Sequence, residues 1–295
     1  MRLRAWIDAA ARVLAGAGVP SPEYDARELA AHALGVDRLP LLSEPAPDGF
    51  ASRYANLVER RRTREPLQHI VGRAAFRYLD LEVRPGVFVP RPETEQVAQV
   101  AIDEAAAVVA ARGAAVVVDL CCGAGGIALA VATEVPGTRV TAVDVASAAV
   151  ALTRANAERV GADVSVVEAD ATAPGLLPAL TGGVDVVVAN PPYIPPDAVP
   201  RDAEVRDLDP DVALYGGGAD GLDVPRGVLA AAVRLLRPGG LLVLEHAEVQ
   251  AAAVRAAAAA AGLAQVRTVR DLTDRDRAVV ARRPGGDHGV TDSGP

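Results

Sequence analysis

Five runs of nearly uninterrupted aliphatic residues, "AAVVVDL", "RVTAVDV", "VSVVEAD", "VDVVVAN" and "GGLLVLEH", are spread over residues 114–246 with helix-length stretches between them. A strand with one wet face alternates apolar and polar residues. A strand without that alternation must be covered on both faces, which is the signature of a mostly parallel sheet flanked by helices. The expectation is an α/β fold of Rossmann-like type. Such a sheet also says where to look for chemistry, because open parallel sheets bind ligands beyond the carboxyl ends of their strands. The polar residues that close the five runs are therefore the first candidates.

Ahead of this region the pattern differs. From Leu3 to about Arg64 apolar residues recur at helical spacing, as in Trp6, Ala9, Ala10, Val13 and Leu14, with Pro20, Gly35, Pro40 and "EPAPDG" as breakers. This predicts a small helical bundle over residues 1–72. The stretch "AAFRYLDLEVRPGVFVP" alternates instead, and Phe76, Tyr78, Leu81 and Val83 predict a connecting β-hairpin within 73–90, turning at Pro85-Gly86. The α/β domain then occupies 91–284. The polar, glycine-rich 285–295 is expected to be a disordered tail.

Aromatics form only 3% of the chain, so its core must be built from Ala, Val and Leu. No apolar run approaches the roughly 20 residues of a membrane span. The start "MRLRAWIDAA" lacks the apolar stretch of a secretory signal, so a cytoplasmic protein without a membrane partner is expected. The cysteines, Cys121 and Cys122, are adjacent, which suits neither a mutual disulfide nor a metal site, and no metal is expected. All thirty basic residues are arginine, which excludes Schiff-base chemistry and a Walker lysine. A net charge of -8 argues against a stable nucleic-acid partner. Seven arginines between Arg53 and Arg77 face only Glu59 and Glu65, and this local excess is either a solvated helix face or a docking surface.

The first run leads into "DLCCGAGGIALAVA", where Gly123, Gly125 and Gly126 permit a tight turn ahead of a helix N-terminus. Three readings compete: a plain strand-to-helix turn, a nicotinamide or flavin site, and an S-adenosylmethionine site. Asp144, closing the second run, suits the ribose of any adenosine ligand, since a carboxylate accepts from both hydroxyls. Asp119 either orients the loop or touches the ligand. Cys121 and Cys122 are small fillers of the loop, with Ala124 between the glycines. The third run closes at Asp170, followed by Ala171, whose methyl offers nothing to stack on an adenine, so that backbone contacts remain.

The fourth run closes with Asn190, Pro191, Pro192 and Tyr193. Prolines fix φ and remove amide donors, leaving neighbouring carbonyls free to point into a cleft. The Asn190 side-chain oxygen and a backbone carbonyl form a pair of acceptors matching the two N–H groups of a planar primary amine or amide. Tyr193 can cover one face of that group. His69 and His246 are proton acceptors by residue type only.

"NPPY" at 190–193, "DLCCGAGG" at 119–126, "FVPRPETE" at 88–95 and "EVRDLDPDVALYGGGADGLD" at 204–223, behind an N-terminal helical segment, resemble the bacterial release-factor glutamine methyltransferases of the HemK/PrmC type. The likeness spans nearly the whole chain. It implies a seven-stranded class I methyltransferase sheet and S-adenosyl-L-methionine as donor, with S-adenosyl-L-homocysteine as product. It also implies a substrate glutamine in the Gly-Gly-Gln loop of peptide chain release factors, held partly by the N-terminal domain. The cofactor set is then Cys121, Cys122, Gly123, Ala124, Gly125, Asp144, Asp170, Ala171 and Asn190. The catalytic set is Asn190, Pro191, Pro192 and Tyr193, and a monomer is expected. The chain departs from the family pattern at Cys121–Gly125, where relatives often carry Gly-Thr-Gly-Thr-Gly, and at Ala171, where many have an aromatic. Alternatives are a glutamine methyltransferase for a ribosomal protein, an adenine amino-methyltransferase on DNA or RNA, and a cofactor-binding protein without catalysis.

Overall fold

The computed structural model describes residues 1–199 and 203–285. The stretch expected to be a disordered tail lies, apart from Gly285, outside the described residues. In chain order the elements are α1 (Leu3–Gly16), α2 (Pro22–Leu34), α3 (Phe50–Arg62), α4 (Leu67–Val71), β1 (Arg73–Phe76), β2 (Leu79–Glu82), α5 (Thr94–Arg112), β3 (Ala115–Leu120), α6 (Gly126–Glu134) and β4 (Thr138–Asp144). There follow α7 (Ser147–Val160), β5 (Val164–Glu168), β6 (Val184–Ala189), α8 (Ala203–Leu208), α9 (Asp211–Leu214), α10 (Asp223–Leu235), β7 (Leu236–Glu245), α11 (Ala251–Ala260), β8 (Ala264–Arg270) and β9 (Asp276–Arg282). They divide into two compact units.

The first unit holds residues 1–74, 83–85 and the described part of 200–209. Leu3, Ile7, Ala10 and Leu14 of α1 fall on one face, and that face packs with Leu29, Phe50 and Tyr54. Phe50 and Tyr54 stack with centroids 5.0 Å apart, and the Tyr54 hydroxyl donates to the Ala26 carbonyl at 2.8 Å. A buried arginine ties α8 to α3. Arg61, 3% exposed, reaches Asp25 Oδ2 at 2.6 Å and Glu204 Oε1 at 2.7 Å.

This pairing changes the meaning of the arginine-rich stretch. Arg60 pairs with Glu65, Arg62 with Glu59, Arg64 with Glu204, Arg73 with Asp37 and Arg77 with Glu134, while Arg53 Nε donates to the Ala33 carbonyl. The excess of positive charge in the sequence is largely met by acids distant in the chain.

The hairpin is present, but its turn is not at Pro85-Gly86. The two strands turn at Arg77-Tyr78, with Arg77 at φ 54°. A left-handed arginine is uncommon, and tertiary contacts hold it here. Its backbone N–H donates to Glu95 Oε1 at 3.0 Å, and its guanidinium reaches Glu134 Oε1 at 2.6 Å. The alternation of apolar residues carried no trace of these partners.

The second unit is built on a seven-stranded sheet in the order β5-β4-β3-β6-β7-β9-β8. Neighbours are parallel except around β9, which runs antiparallel to β7 and β8. All six residues of β6 are buried, as a strand covered on both faces requires. Each buried valine contributes about 1.5–3 kcal/mol relative to exposure, which compensates for the scarcity of aromatics. β8 escapes a search for aliphatic runs because polar residues interrupt it, and β9 because its run is only the four residues between Arg277 and Arg282. The chain runs outward from β3 to β5 and then returns to β6 on the other side of β3. That reversal is a topological switch point, where a crevice opens beyond the strand ends. Among the described residues no helix is long and apolar enough to cross a membrane.

Candidate active site

The sheet register brings the predicted residues into one row. Leu120 pairs with Val143 on one side and Ala189 on the other, and Ala189 pairs with Leu244. One residue further along these parallel strands stand Asp144, Cys121, Asn190 and Glu245. Four residues separated by as many as 124 positions in sequence thus share the carboxyl edge at the switch point. Asp170 lies two residues past the end of β5, whose Glu168 pairs with Asp144.

The loop from Cys121 to Gly125 is held from three directions. The Gly123 N–H donates to Asp144 Oδ2 at 2.9 Å, and Ala146 N–H donates to Asp144 Oδ1 at 3.0 Å. The Thr153 hydroxyl donates to the Gly123 carbonyl at 2.8 Å. Behind the loop the buried Asp119 accepts the Ala128 N–H on Oδ2 at 3.0 Å, so this residue orients the start of α6. Its Oδ1 is buried without a hydrogen-bond partner, and burial pushes the carboxyl up to about 8, with the charge of Asp144 adding to the effect.

Cys121 occupies the left-handed region at φ 63°, where side-chain-bearing residues are strained. Burial, with the charges of Asp119 and Asp144, pushes both thiols upward. Each Asp144 oxygen retains a lone-pair direction beyond its loop bond, which fits a vicinal diol. Asp170 is less available, because its Oδ1 accepts both the N–H and the hydroxyl of Thr172, at 2.8 and 2.7 Å. Ala171 is buried, its methyl part of the apolar cluster that includes Val118, Leu120 and Leu229.

At the neighbouring corner Asn190 is half-buried and donates from Nδ2 to Thr94 Oγ1 at 3.3 Å. With the amide nitrogen engaged, Oδ1 is the atom left to accept. Pro191 and Pro192 are buried and Tyr193 is half-buried. The segment is clamped by the loop that follows α9. Ile194 N–H donates to the Leu214 carbonyl at 2.8 Å, and Gly216 N–H donates to the Ile194 carbonyl at 3.0 Å. Gln250 Nε2 bridges the carbonyls of Tyr193 and Asp220, at 2.8 and 2.9 Å.

The glycines of "YGGGADG" have a steric role in this clamp. A Cβ on Gly216 would lie 2.0 Å from the Gly221 carbonyl oxygen and 2.6 Å from that of Pro192. One on Gly221, at φ 75°, would lie 2.4 Å from the Tyr193 carbonyl oxygen. Backbone meets backbone here, so no side chain fits.

Beneath the corner lies a carboxyl that the sequence reading did not single out. Glu245 is 1% exposed, and its Oε2 has no hydrogen-bond partner. Burial pushes its carboxyl up to about 7, opposed by the neighbouring polar groups of Thr94 and Tyr193 and by the charge of Arg277. The Tyr193 phenol is in turn driven upward by burial and by Glu245, and it stays neutral. His246 is fully buried and its Nδ1 faces the Ala247 carbonyl at 2.8 Å; burial pushes the imidazole down. His69 belongs to α4 of the first unit. Among the described residues no group of His, Cys, Asp or Glu side chains is arranged to hold a metal ion.

Thr94, Gln250, Gly216 and Gly221 also went unassigned, although "PRPETE" and "ALYGGGADGLD" contain three of the four. Glu245 carries the same signal that selected Asp144, an acid closing an aliphatic run.

The chain has clear relatives. The PrmC N-terminal domain family matches residues 5–72, and the methyltransferase small domain family matches residues 85–204. It is 48% identical over 285 residues to the release factor glutamine methyltransferase of Mycolicibacterium smegmatis, covering 96% of this chain and 98% of that one. Against the protein of the same name from Streptomyces coelicolor it is 49% identical over 283 residues, covering 95% and 98%. A solved methyltransferase from Pyrococcus furiosus superposes with a TM-score of 0.51 at 18% identity, over 79% of this chain and 99% of that one, and so shares the fold.

Proposed function

The chain belongs to the release factor glutamine methyltransferase family, and from that premise we propose that it methylates the side-chain amide nitrogen of the glutamine in the Gly-Gly-Gln loop of peptide chain release factors. The donor is S-adenosyl-L-methionine, which supplies an electrophilic methyl group on a sulfonium sulfur and leaves as S-adenosyl-L-homocysteine. The observation that carries this reading is the shared strand edge of Asp144 and Asn190, which sets a diol acceptor and an amide-directed acceptor on either side of Cys121.

In this reading the loop from Cys121 to Gly125, with Asp144, Asp170 and the Ala171 backbone, holds the adenosine and methionine parts of the donor. Asn190 Oδ1 and the Pro191 carbonyl accept the two N–H groups of the substrate carboxamide. Pro192 fixes the bend and the Tyr193 ring covers the amide plane. A carboxamide nitrogen is a poor nucleophile because its lone pair is delocalised, so alignment does most of the work, and alignment of this kind is worth about 7–11 kcal/mol of barrier. The nitrogen lone pair forms the new N–C bond, the C–S electron pair returns to sulfur, and the extra proton leaves to water.

Residues 1–72 are assigned to holding the release factor, 73–90 to the connector and 91–284 to catalysis, in a cytoplasmic monomer. The arginines of 53–77 pair with acids of the chain, those of Arg60 and Arg62 at the surface. Incubation with methyl-labelled donor and purified release factor, followed by mass spectrometry of the Gly-Gly-Gln peptide, tests the reading. Label on that glutamine is expected. Label found instead on a ribosomal protein or on nucleic-acid adenine would replace the substrate assignment.

A further inference from the structure

We infer that Asn156 is a positioning residue for the glycine-rich loop, fastening it to the backbone of the connecting hairpin and so setting the affinity for the donor. The inference deepens the functional reading above and rests on it for the loop's role as the donor site. Its own basis is three hydrogen bonds made by one buried side chain.

Ala149, Leu152, Thr153 and Asn156 fall on one face of α7, and that face lies against the loop. Ala149 and Leu152 pack with Ala124 and with Val87. The Thr153 hydroxyl donates to the Gly123 carbonyl at 2.8 Å, and Asn156 Nδ2 donates to the next carbonyl, that of Ala124, at 3.0 Å. A trans peptide sets its C=O and N–H in opposite directions, so a helix that holds a carbonyl also aims the amide that follows it. The Ala124 N–H is thereby turned to the side of the loop away from α7. The Gly125 N–H closes the turn on the Cys122 carbonyl at 2.8 Å.

Asn156 holds the hairpin with the same amide. Its Oδ1 accepts the Glu82 N–H at 2.8 Å, and its Nδ2 donates to the Glu82 carbonyl at 3.0 Å. The side chain thus pairs with β2 as the backbone of a neighbouring strand would. Only one orientation of the amide satisfies all three bonds, because the reverse would set its oxygen against two carbonyls. Asn156 is fully buried, so a bond lost there is not replaced by solvent.

Glu82 is the last residue of the second unit before the chain crosses to the first, and the chain returns at Gly86, one residue ahead of Val87. Both ends of that crossing meet the loop, Glu82 through Asn156 and Val87 by packing with Ala124. The place of the connector is in this way transmitted to the loop that takes the donor. Arg159, a turn further along α7, ties the helix to Asp80 of the hairpin at 2.9 Å, so the packing of α7 on β2 has a support besides Asn156.

The experiment measures affinity for S-adenosyl-L-methionine by calorimetry in wild type, Asn156→Leu, Glu82→Pro and Asp185→Asn. Asn156→Leu removes all three bonds at nearly constant volume and should weaken donor binding at least about tenfold, the cost of stranding buried carbonyls. Glu82→Pro keeps the Asn156 side chain and deletes the N–H that its Oδ1 accepts, and should weaken binding by about threefold to tenfold. Asp185→Asn is the control for lost stability alone, since Asp185 is buried near the amino end of β6, where it holds the Val116 N–H and Arg112. Its donor affinity should stay within about twofold of wild type. The chain contains three asparagines, Asn56, Asn156 and Asn190, so selective ¹⁵N-asparagine labelling gives three side-chain amide pairs, assigned with Asn56→Ala and Asn190→Ala. The Asn156 pair should shift when the donor is added to the wild-type protein. Affinity within about twofold of wild type in Asn156→Leu, an equal loss in Asp185→Asn, or an Asn156 pair unmoved by saturating donor would overturn the inference. Should Asn156→Leu fail to fold, Glu82→Pro and the wild-type resonances decide it. A wild-type protein that binds no S-adenosyl-L-methionine would sink the functional reading, and only then the inference with it.

Discussion

The backbone N–H of Gly123 donates to the carboxylate of Asp144 at 2.9 Å, so the glycine-rich loop and the end of the adjacent strand are one hydrogen-bonded unit. The residue proposed to accept the ribose hydroxyls therefore also fixes the loop that approaches the rest of the donor. Asp144→Ala should lose both roles. Calorimetry with S-adenosyl-L-methionine should show affinity weakened by at least about 100-fold, the loss of two charge-assisted hydrogen bonds at about 1.5–3 kcal/mol each. Wild-type affinity would move the ribose contact elsewhere.

Gly216 is the tightest point of the clamp on the Asn190–Tyr193 corner, since a Cβ there would sit 2.0 Å from the Gly221 carbonyl oxygen. Gly216→Ala must push that loop or the corner aside. Stability measured by denaturant unfolding should fall by about 1–3 kcal/mol, and turnover should fall about 100-fold, because the acceptors are displaced. A variant with normal turnover would show that the clamp does not position the corner.

Cys121 sits at φ 63°, a backbone region that glycine adopts without strain. A left-handed side chain costs about 1–2 kcal/mol, partly offset by the freedom glycine adds to the unfolded chain. Cys121→Gly should accordingly raise unfolding stability by about 1 kcal/mol. A destabilised variant would mean that the packing of the thiol outweighs the backbone strain.

Glu245 gives a pH signature. Its carboxyl is raised from 4.5 to about 7 in the folded protein, chiefly by burial. The folded state thus holds this proton more tightly than the unfolded chain. Its stabilising contribution is full below about pH 4.5 and is lost as pH rises through 7. Glu245→Gln removes the dependence. The variant's stability relative to wild type should therefore grow between pH 5 and pH 8, by about 3 kcal/mol at most. A difference independent of pH in thermal unfolding would contradict the assignment.

The sheet was readable from sequence because valine-rich strands covered on both faces leave an unmistakable composition, and with it came the strand-end positions of Asp144 and Asn190. Residues that act through partners left a weaker trace. Arg77 takes the hairpin turn because Glu95 and Glu134 hold it, and neither lies near it in sequence. The arginines of 53–77 read as either a solvated helix face or a docking surface because Asp25, Asp37 and Glu204 are brought to them only by folding. Thr94 was visible as a residue, but the hydrogen bond it accepts from Asn190 joins positions 96 apart, which no spacing encodes.

The measurement that bears most directly on the account is methyl transfer to release factor by Asn190→Ala, made alongside its affinity for S-adenosyl-L-methionine. Removing the side-chain acceptor should lower kcat by about 10²–10³-fold, the usual cost of one preorganised hydrogen-bonding group at a reacting centre. Donor affinity should stay measurable and the fold intact. Undiminished methylation of the glutamine by this variant would contradict the claim that the Asn-Pro-Pro-Tyr corner grips the substrate amide.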